Sequence, residues 1–275
     1  MAEITAAAVK SLRDRTDLPM MQCKKALVEA DGDEDRAIAI LSEKMRLKVK
    51  DRAGNEAKEG RIFTKVAEDG SEVAVVDLRC ESEPVAGGPQ FAELGGKLVD
   101  QLLAGPGAGT PDELLAQSDA GGSLKEQFED INTKIQEKFE LHRVARHTAP
   151  CGVYVHHNAK VAAVFCADAE GTADADTLQD LAMHVAAMRP KATTPEDLPA
   201  DKVAAEREKL TAEAKASGKP DNIVDRIVDG QMKKFYQHED VLLEQPFAKD
   251  DSKTVAQVLK EKGLTARHFD LFVIG

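Results

Sequence analysis

The sequence predicts an α+β fold. Three observations support this class: three short amphipathic helical patterns near the N-terminus, a strand–strand–helix pattern that occurs twice, and a later stretch with the composition of a helical hairpin. At roughly 100 to 200 residues per domain, the length of 275 residues predicts two compact units or one compact unit with additions. The predicted boundaries are 1–50 for an N-terminal three-helix domain, 55–143 for a first core subdomain and 144–275 for a second, with the helical hairpin inserted at about 195–235.

The N-terminal helices follow from capping residues and apolar spacing. Thr5 can cap the first helix, and Pro19 suits the first turn of the second, where its missing N–H leaves no hydrogen bond unmade. Asp33 can cap the third helix. Apolar residues recur at spacings of three and four in all three segments, which predicts a small closed helical domain.

From about residue 60, the hydrophobic pattern changes to a period of two residues, which is typical of β-strands. Alternating strands are predicted at 60–63 and 73–80, followed by a helix at 91–102, and the same order returns at 152–155, 161–166 and 178–185. Two such units indicate an internal duplication, although a common supersecondary unit can also recur by chance.

The remaining elements complete the prediction. Ser123 and Glu126 form a capping box for a helix whose apolar stripe continues through Phe139 to His142. A helix at 203–216, a break at 217–220 and a returning helix predict the antiparallel hairpin. A last helix at 252–262 and a strand at 269–273 are expected before the sequence ends at Gly275.

Composition excludes several classes of function. The 49 acidic residues exceed the 37 basic ones, giving a net charge of -12, which argues against a protein that binds nucleic acid by neutralising phosphates. No window approaches the roughly 20 apolar residues of a membrane span, and the N-terminus lacks a secretory pattern. The four cysteines are far apart in sequence, which indicates free thiols in a reducing compartment. We expect a cytoplasmic protein.

Catalytic and cofactor signatures are missing from the sequence. The segment at 91–98 lacks the leading glycine and the Ser or Thr of a phosphate-binding loop. His142, His147, His156 and His157 lack the spacing of a zinc site, which favours solvated or contact roles. We therefore expect no enzyme, no cofactor and no metal.

Two features suggest partner binding. Met20 and Met21 are adjacent at a helix start, and neighbours on a helix point about 100° apart. Either one is a core residue and the other caps its edge, or both offer an adaptable apolar contact. The segment at 81–89 carries two acids and two prolines after a strand, and it is either a rigid functional loop or an ordinary solvated turn.

Several separated segments resemble elongation factor Ts, the guanine-nucleotide exchange factor of the GTPase elongation factor Tu. They are MMQCKKAL at 20–27, LAMHVAA at 181–187, SGKP at 217–220, LEQPF at 243–247 and SKTV at 252–255. The resemblance covers almost the whole chain. It implies a ubiquitin-associated-like (UBA-like) N-terminal domain, a core of two related subdomains and an inserted helical hairpin of coiled-coil type.

The resemblance also implies roles for particular residues. In the family, the N-terminal domain packs on the GTPase domain of elongation factor Tu, which assigns Met20 and Met21 to that contact. A loop that normally reads Thr-Asp-Phe-Val wedges near the partner's Mg²⁺ site, and it matches Ser82, Glu83, Pro84 and Val85.

This sequence departs from the family at that loop, because Pro84 replaces the aromatic wedge and Glu83 is one methylene longer than the family's Asp. His156 falls where the family has a His that faces the partner's far domain. Many relatives continue beyond the last strand into a C-terminal helix, whereas this sequence stops at Gly275.

The resemblance implies that the protein promotes release of GDP and Mg²⁺ from elongation factor Tu without covalent catalysis. Two alternatives are a UBA-like adaptor or scaffold without exchange activity and a nucleotide-binding enzyme, which would itself bind GDP or GTP and against which the missing phosphate-binding loop argues. The adaptor predicts that residues 1–50 suffice for function, whereas exchange should need the core.

Overall fold

The computed structural model describes residues 4–52, 54–216 and 220–275. Helices and sheets are mixed along the chain, so the predicted α+β class is confirmed. The helices are α1 (Ala6–Thr16), α2 (Met20–Glu29), α3 (Glu34–Asp51), α4 (Glu83–Ala86), α5 (Pro89–Ala104), α6 (Pro111–Leu115), α7 (Leu124–Ile135), α8 (Ala175–Met188), α9 (Ala200–Ala216), α10 (Asp221–His238) and α11 (Val255–Glu261). The strands are β1 (Glu59–Val66), β2 (Glu72–Cys80), β3 (Ser118–Asp119), β4 (Gly122–Ser123), β5 (Phe139–Thr148), β6 (Cys151–Val155), β7 (Val161–Ala169), β8 (Pro246–Phe247), β9 (Asp250–Thr254) and β10 (Leu264–Val273).

Chain contacts divide the protein into two compact units. The first contains the chain up to Lys65 together with Ala74–Arg146 and Ile274–Gly275, and the second contains Val66–Val73 and His147–Val273. The domain boundaries expected from the sequence stay a prediction. No helix within the described ranges is long and apolar enough to cross a membrane.

The first unit begins with three helices around a small core. The Thr5 hydroxyl accepts a hydrogen bond from the Ala8 N–H at 3.2 Å, which caps α1 as predicted. Asp17 follows the end of α1 in the left-handed conformation. Pro19 then directly precedes the first residue of α2. Their shared core includes fully buried Leu12 and Leu27.

Each of the two larger sheets has three strands in the same order along the chain. In the first the order is β1–β2–β5, and in the second it is β6–β7–β10, so the second strand of each hairpin is central. The central strands β2 and β7 are buried almost throughout. Helix α5 covers the core of the first sheet and α8 that of the second, as the repeated sequence pattern predicts.

The prediction of one helical stripe through Phe139 and His142 is wrong. Helix α7 ends at Ile135, because Gln136 takes the left-handed conformation with φ 62°. Phe139 and His142 then lie on β5, where Phe139 and Leu141 are buried and alternate with more exposed residues. Ile135 and Phe139 are four residues apart by coincidence, since the first ends a helix and the second begins a strand in which the side chains alternate.

The expectation of four free thiols is also wrong for two of them. Cys151 and Cys166 form a disulfide, whereas Cys23 and Cys80 are free and buried. Strand pairing explains this, since Cys151 on β6 lies directly opposite Cys166 on β7, with Cα atoms 4.2 Å apart. Register across a hairpin, not proximity in sequence, brings the two sulfurs together.

The helical hairpin consists of α9 and α10, which pack through an apolar seam that includes Leu210, Val224 and Met232. Three residues of the predicted break, 217–219, lie outside the described residues. The last predicted helix begins later than expected, at Val255, with a Thr254 capping box. Strand β10 begins at Leu264, five residues before the predicted strand, and pairs antiparallel with β7.

Candidate functional site

The loop after β2 forms a single exposed helical turn. Helix α4 spans Glu83–Ala86, and Pro84 lies in its first turn, where a proline N–H is not needed. Glu83 and Pro84 are exposed, Val85 packs partly against the core of the first unit, and Ala86 is buried. The predicted site residues are therefore contiguous and present two side chains to solvent.

Glu137 holds the start of this turn. Its carboxylate accepts a hydrogen bond from the Ser82 hydroxyl at 2.7 Å and another from the Ser82 N–H at 3.1 Å. Both bonds are partly buried and involve a charged acceptor, which makes them stronger than neutral ones. The Ser82 side chain thus serves to fix the turn.

Glu81 forms a second anchor beside it. One carboxylate oxygen accepts from Arg52 at 3.0 Å and Asn55 at 2.8 Å, and the other accepts from the Lys138 N–H at 2.6 Å. Burial alone would raise the pKa of Glu81, but these hydrogen bonds lower it below its ordinary value. Glu81 thereby links the loop to Arg52 and Asn55, which follow α3, and to Lys138, which precedes β5.

Cys80 lies directly before the anchored segment. Burial raises the pKa of its thiol to about 11, and the thiol donates to the Ser82 carbonyl at 3.2 Å. A thiol with a raised pKa stays protonated near neutral pH and is a poor nucleophile, since the thiolate is the reactive form. Cys80 thus supports the loop and offers no reactive group.

Both N-terminal methionines are exposed. Met20 has 47% and Met21 64% of its surface accessible, and Val28 on the same helix has 51%. The opposite face of α2 buries Cys23 and Leu27. The alternative that places one methionine in the core is wrong, because α2 packs through its later turns.

His156 begins the turn between β6 and β7. Its Nδ1 lies 3.0 Å from the Tyr154 hydroxyl, and its ring contacts that of His157 at 4.2 Å. The ring borders a shallow cavity of about 290 Å³ that Met183 and Arg189 also line. The sequence prediction missed these neighbours, although Met183 lies within the recognisable segment at 181–187. Met20, Met21 and the loop belong to the first unit, and His156 belongs to the second.

Two of the recognisable segments meet inside the second unit through His184. Its Nδ1 accepts from the Ala248 N–H at 3.1 Å, so its Nε2 donates to the Gln245 side-chain oxygen at 3.0 Å. Burial, only partly opposed by the Gln245 bond, lowers the pKa of His184. The segments at 181–187 and 243–247 are thus joined by a buried polar contact.

The histidines considered for zinc fall in different environments. His142 is exposed beside Glu140, and His156 and His157 lie in the β6–β7 turn. His147 is buried, and its possible ligand atom lies within 4.8 Å of those of Cys166 and His268. The sequence could not indicate this cluster, because its members come from three strands.

Comparisons with known proteins agree on one family. A family model described as elongation factor TS matches residues 81–275. Elongation factor Ts of Bordetella avium (strain 197N) is 40% identical over 280 residues, covering 100% of this chain and 92% of the relative. The corresponding proteins of Paenarthrobacter aurescens (strain TC1) and Aquifex aeolicus (strain VF5) are 38% and 37% identical, covering 100% and 97% of this chain and 100% and 96% of their own lengths.

Proposed function

Because the chain belongs to the elongation factor Ts family, a family of translation elongation factors, we propose that it binds elongation factor Tu and promotes release of its GDP so that GTP can bind. Similarity along the whole chain to several family members is the observation that carries this proposal. The protein would act in the cytoplasm, where its partner works.

The mechanism is a linkage of binding free energies. If the protein binds nucleotide-free elongation factor Tu more tightly than the GDP-bound form, it must weaken GDP binding by the same factor. An excess of GTP then completes the exchange. No covalent step is needed, so the protein is an exchange factor and not a covalent catalyst.

The α4 turn supplies the contact that favours the nucleotide-free partner. Glu83 and Pro84 are exposed at its tip, while Glu81 and Glu137 hold its base. Displacing Mg²⁺ would remove the largest positive charge beside the phosphates of GDP. Pro84 offers a stiff apolar body for this step, but it buries less surface than the family's aromatic ring and cannot stack.

The remaining contacts would supply affinity. The exposed pair Met20 and Met21 offers polarisable, adaptable apolar surface for the GTPase domain. His156, with Tyr154 beside it, would face the partner's far domain. An acidic chain with net charge -12 can serve this partner without contacting nucleic acid.

Release of a fluorescent GDP from elongation factor Tu tests the proposal. We expect faster release with the full chain at micromolar concentration, and no acceleration with residues 1–50 alone. No acceleration by the full chain would refute exchange activity, and binding by residues 1–50 without exchange by the full chain would favour the adaptor. A Glu83→Ala, Pro84→Ala double variant should slow release, whereas unchanged release would assign the wedging step to other contacts.

A further inference from the structure

A cluster of two histidines and a cysteine lies in the second unit and includes none of the residues proposed above for exchange. The ring nitrogens His147 Nδ1 and His268 Nε2 are 3.0 Å apart. Cys166 completes the group, and one possible ligand atom from each residue lies within 4.8 Å of the others. Imidazole nitrogen and thiolate sulfur together form a donor set that suits Zn²⁺ and related divalent transition metals.

Strand register places the cluster. Cys166 lies on the central strand β7, with His268 directly opposite it on β10 and Cys151 opposite it on β6. The register shifts between Ala266 and His268, a local irregularity of the kind that redirects a side chain. His147 comes from the last residues of β5.

The surroundings of His147 resemble those of a metal-bound histidine. The residue is 8% exposed, and its Nε2 is a buried nitrogen without a hydrogen-bond partner among the described residues. The Asp270 carboxylate lies 3.1 Å from that nitrogen, outside hydrogen-bonding direction. The contact with His268 accounts for Nδ1, and the Asp270 carboxylate is the charged group beside Nε2.

Metal ligation at Nδ1 would account for both nitrogens. The proton would then reside on Nε2, and a small rotation of the ring would direct it to Asp270, the arrangement by which carboxylates orient metal-bound histidines.

We propose that His147, Cys166 and His268 form a binding site for Zn²⁺, or a divalent metal of similar chemistry, when Cys166 is reduced. Two nitrogens bound to one tetrahedral Zn²⁺ at about 2.0 to 2.1 Å each would be about 3.3 Å apart, close to the separation seen here. One thiolate and the nearby Asp270 carboxylate balance the two charges of the ion. Water would fill the fourth position.

The disulfide and the metal compete for the same sulfur. With a phosphine, the disulfide and one water become two thiols while the phosphine becomes its oxide, so that two electrons pass to the sulfurs. In a cell, a dithiol would supply the two electrons and become a disulfide itself. Metal binding then displaces the proton of the Cys166 thiol. Exchange with a small-molecule disulfide would re-form the Cys151–Cys166 disulfide, reduce that molecule to two thiols and release the ion.

Titration of the full chain with Co²⁺, a coloured substitute for Zn²⁺, tests the site. Cys151→Ser removes the disulfide but keeps all three ligands, so this variant should bind one Co²⁺ per chain, with a thiolate charge-transfer band, in the presence or absence of phosphine. The wild type should show the band only after reduction. Added Zn²⁺ should displace Co²⁺ and abolish the band.

Matched variants test whether Cys166 and His268 are metal ligands. Cys166→Ser should lack the band, and His268→Gln should weaken Co²⁺ binding at least about tenfold, with circular dichroism confirming that each variant is folded. Cys80→Ser serves as the control that keeps the band. A band that persists in Cys166→Ser, or no binding by folded Cys151→Ser at micromolar Co²⁺, would overturn the proposal.

Discussion

Replacing Glu137 by Ala would free the α4 turn from its anchor. The Glu137 carboxylate accepts two hydrogen bonds from Ser82, at 2.7 and 3.1 Å. Hydrogen bonds to a charged group contribute about 1.5 to 3 kcal/mol each when buried, but water can reach these partly buried groups, so we expect a total loss of about 1 to 3 kcal/mol. A penalty of about 1.4 kcal/mol in placing the turn corresponds to about a tenfold slower release of GDP from elongation factor Tu.

A graded series makes the test specific. Glu137→Gln can still accept from the Ser82 N–H and donate to its hydroxyl, so release should fall less than in Glu137→Ala. Glu129→Ala, an exposed acid of α7, serves as the control for lost charge. Fluorescent GDP release measures the rate, and urea unfolding confirms that the variants are folded. Wild-type release by folded Glu137→Ala would refute the role of the anchor.

Further predictions concern stability, pH and the loop. Gly152→Ala should lower the free energy of unfolding by about 1 to 3 kcal/mol or more, because the added Cβ would lie 2.0 Å from the Leu178 carbonyl oxygen. Gly230→Ala, in mid-helix with open space around it, should instead stabilise by up to about 1 kcal/mol, and urea unfolding of both checks the contrast. Burial lowers the pKa of His184 below 6.5, so the unfolded chain takes up the proton first as pH falls; the free energy of unfolding should drop by up to about 1.4 kcal/mol per pH unit below about 6.5. Between about pH 7.5 and about pH 5.5, the free energy of unfolding should fall less in His184→Gln than in the wild type. An equal fall in both would contradict the assignment of this pH dependence to His184. Pro84→Phe should speed GDP release, since an aromatic ring buries more surface, and slower release would show that the proline is suited to its own contact.

Local signals predicted much of the fold. The capping role of Thr5, the placement of Pro19 at the start of the second helix and the repeated strand pairs each depend on a few neighbouring residues, and the structure contains all of them. The helix predicted through His142 failed because the period changes at Gln136, whose left-handed conformation has no strong sequence signal. The adjacency of Met20 and Met21 left open whether one of them is buried, and the structure exposes both.

Long-range features could not be predicted in the same way. The Glu137 anchor of the loop joins residues that are far apart in sequence, and the proximity of His147 to His268 requires knowledge of strand register. The same holds for the Cys151–Cys166 disulfide. Single-sequence patterns identify which residues form strands, but pairing between distant strands depends on the packing of the whole unit.

The affinities of the protein for nucleotide-free and GDP-bound elongation factor Tu, measured side by side by calorimetry, test the proposed linkage most directly. We expect tighter binding to the nucleotide-free form, by the same factor by which this protein weakens GDP binding. Equal affinity for the two forms would contradict the mechanism, because a ligand that binds two states equally cannot shift the equilibrium between them.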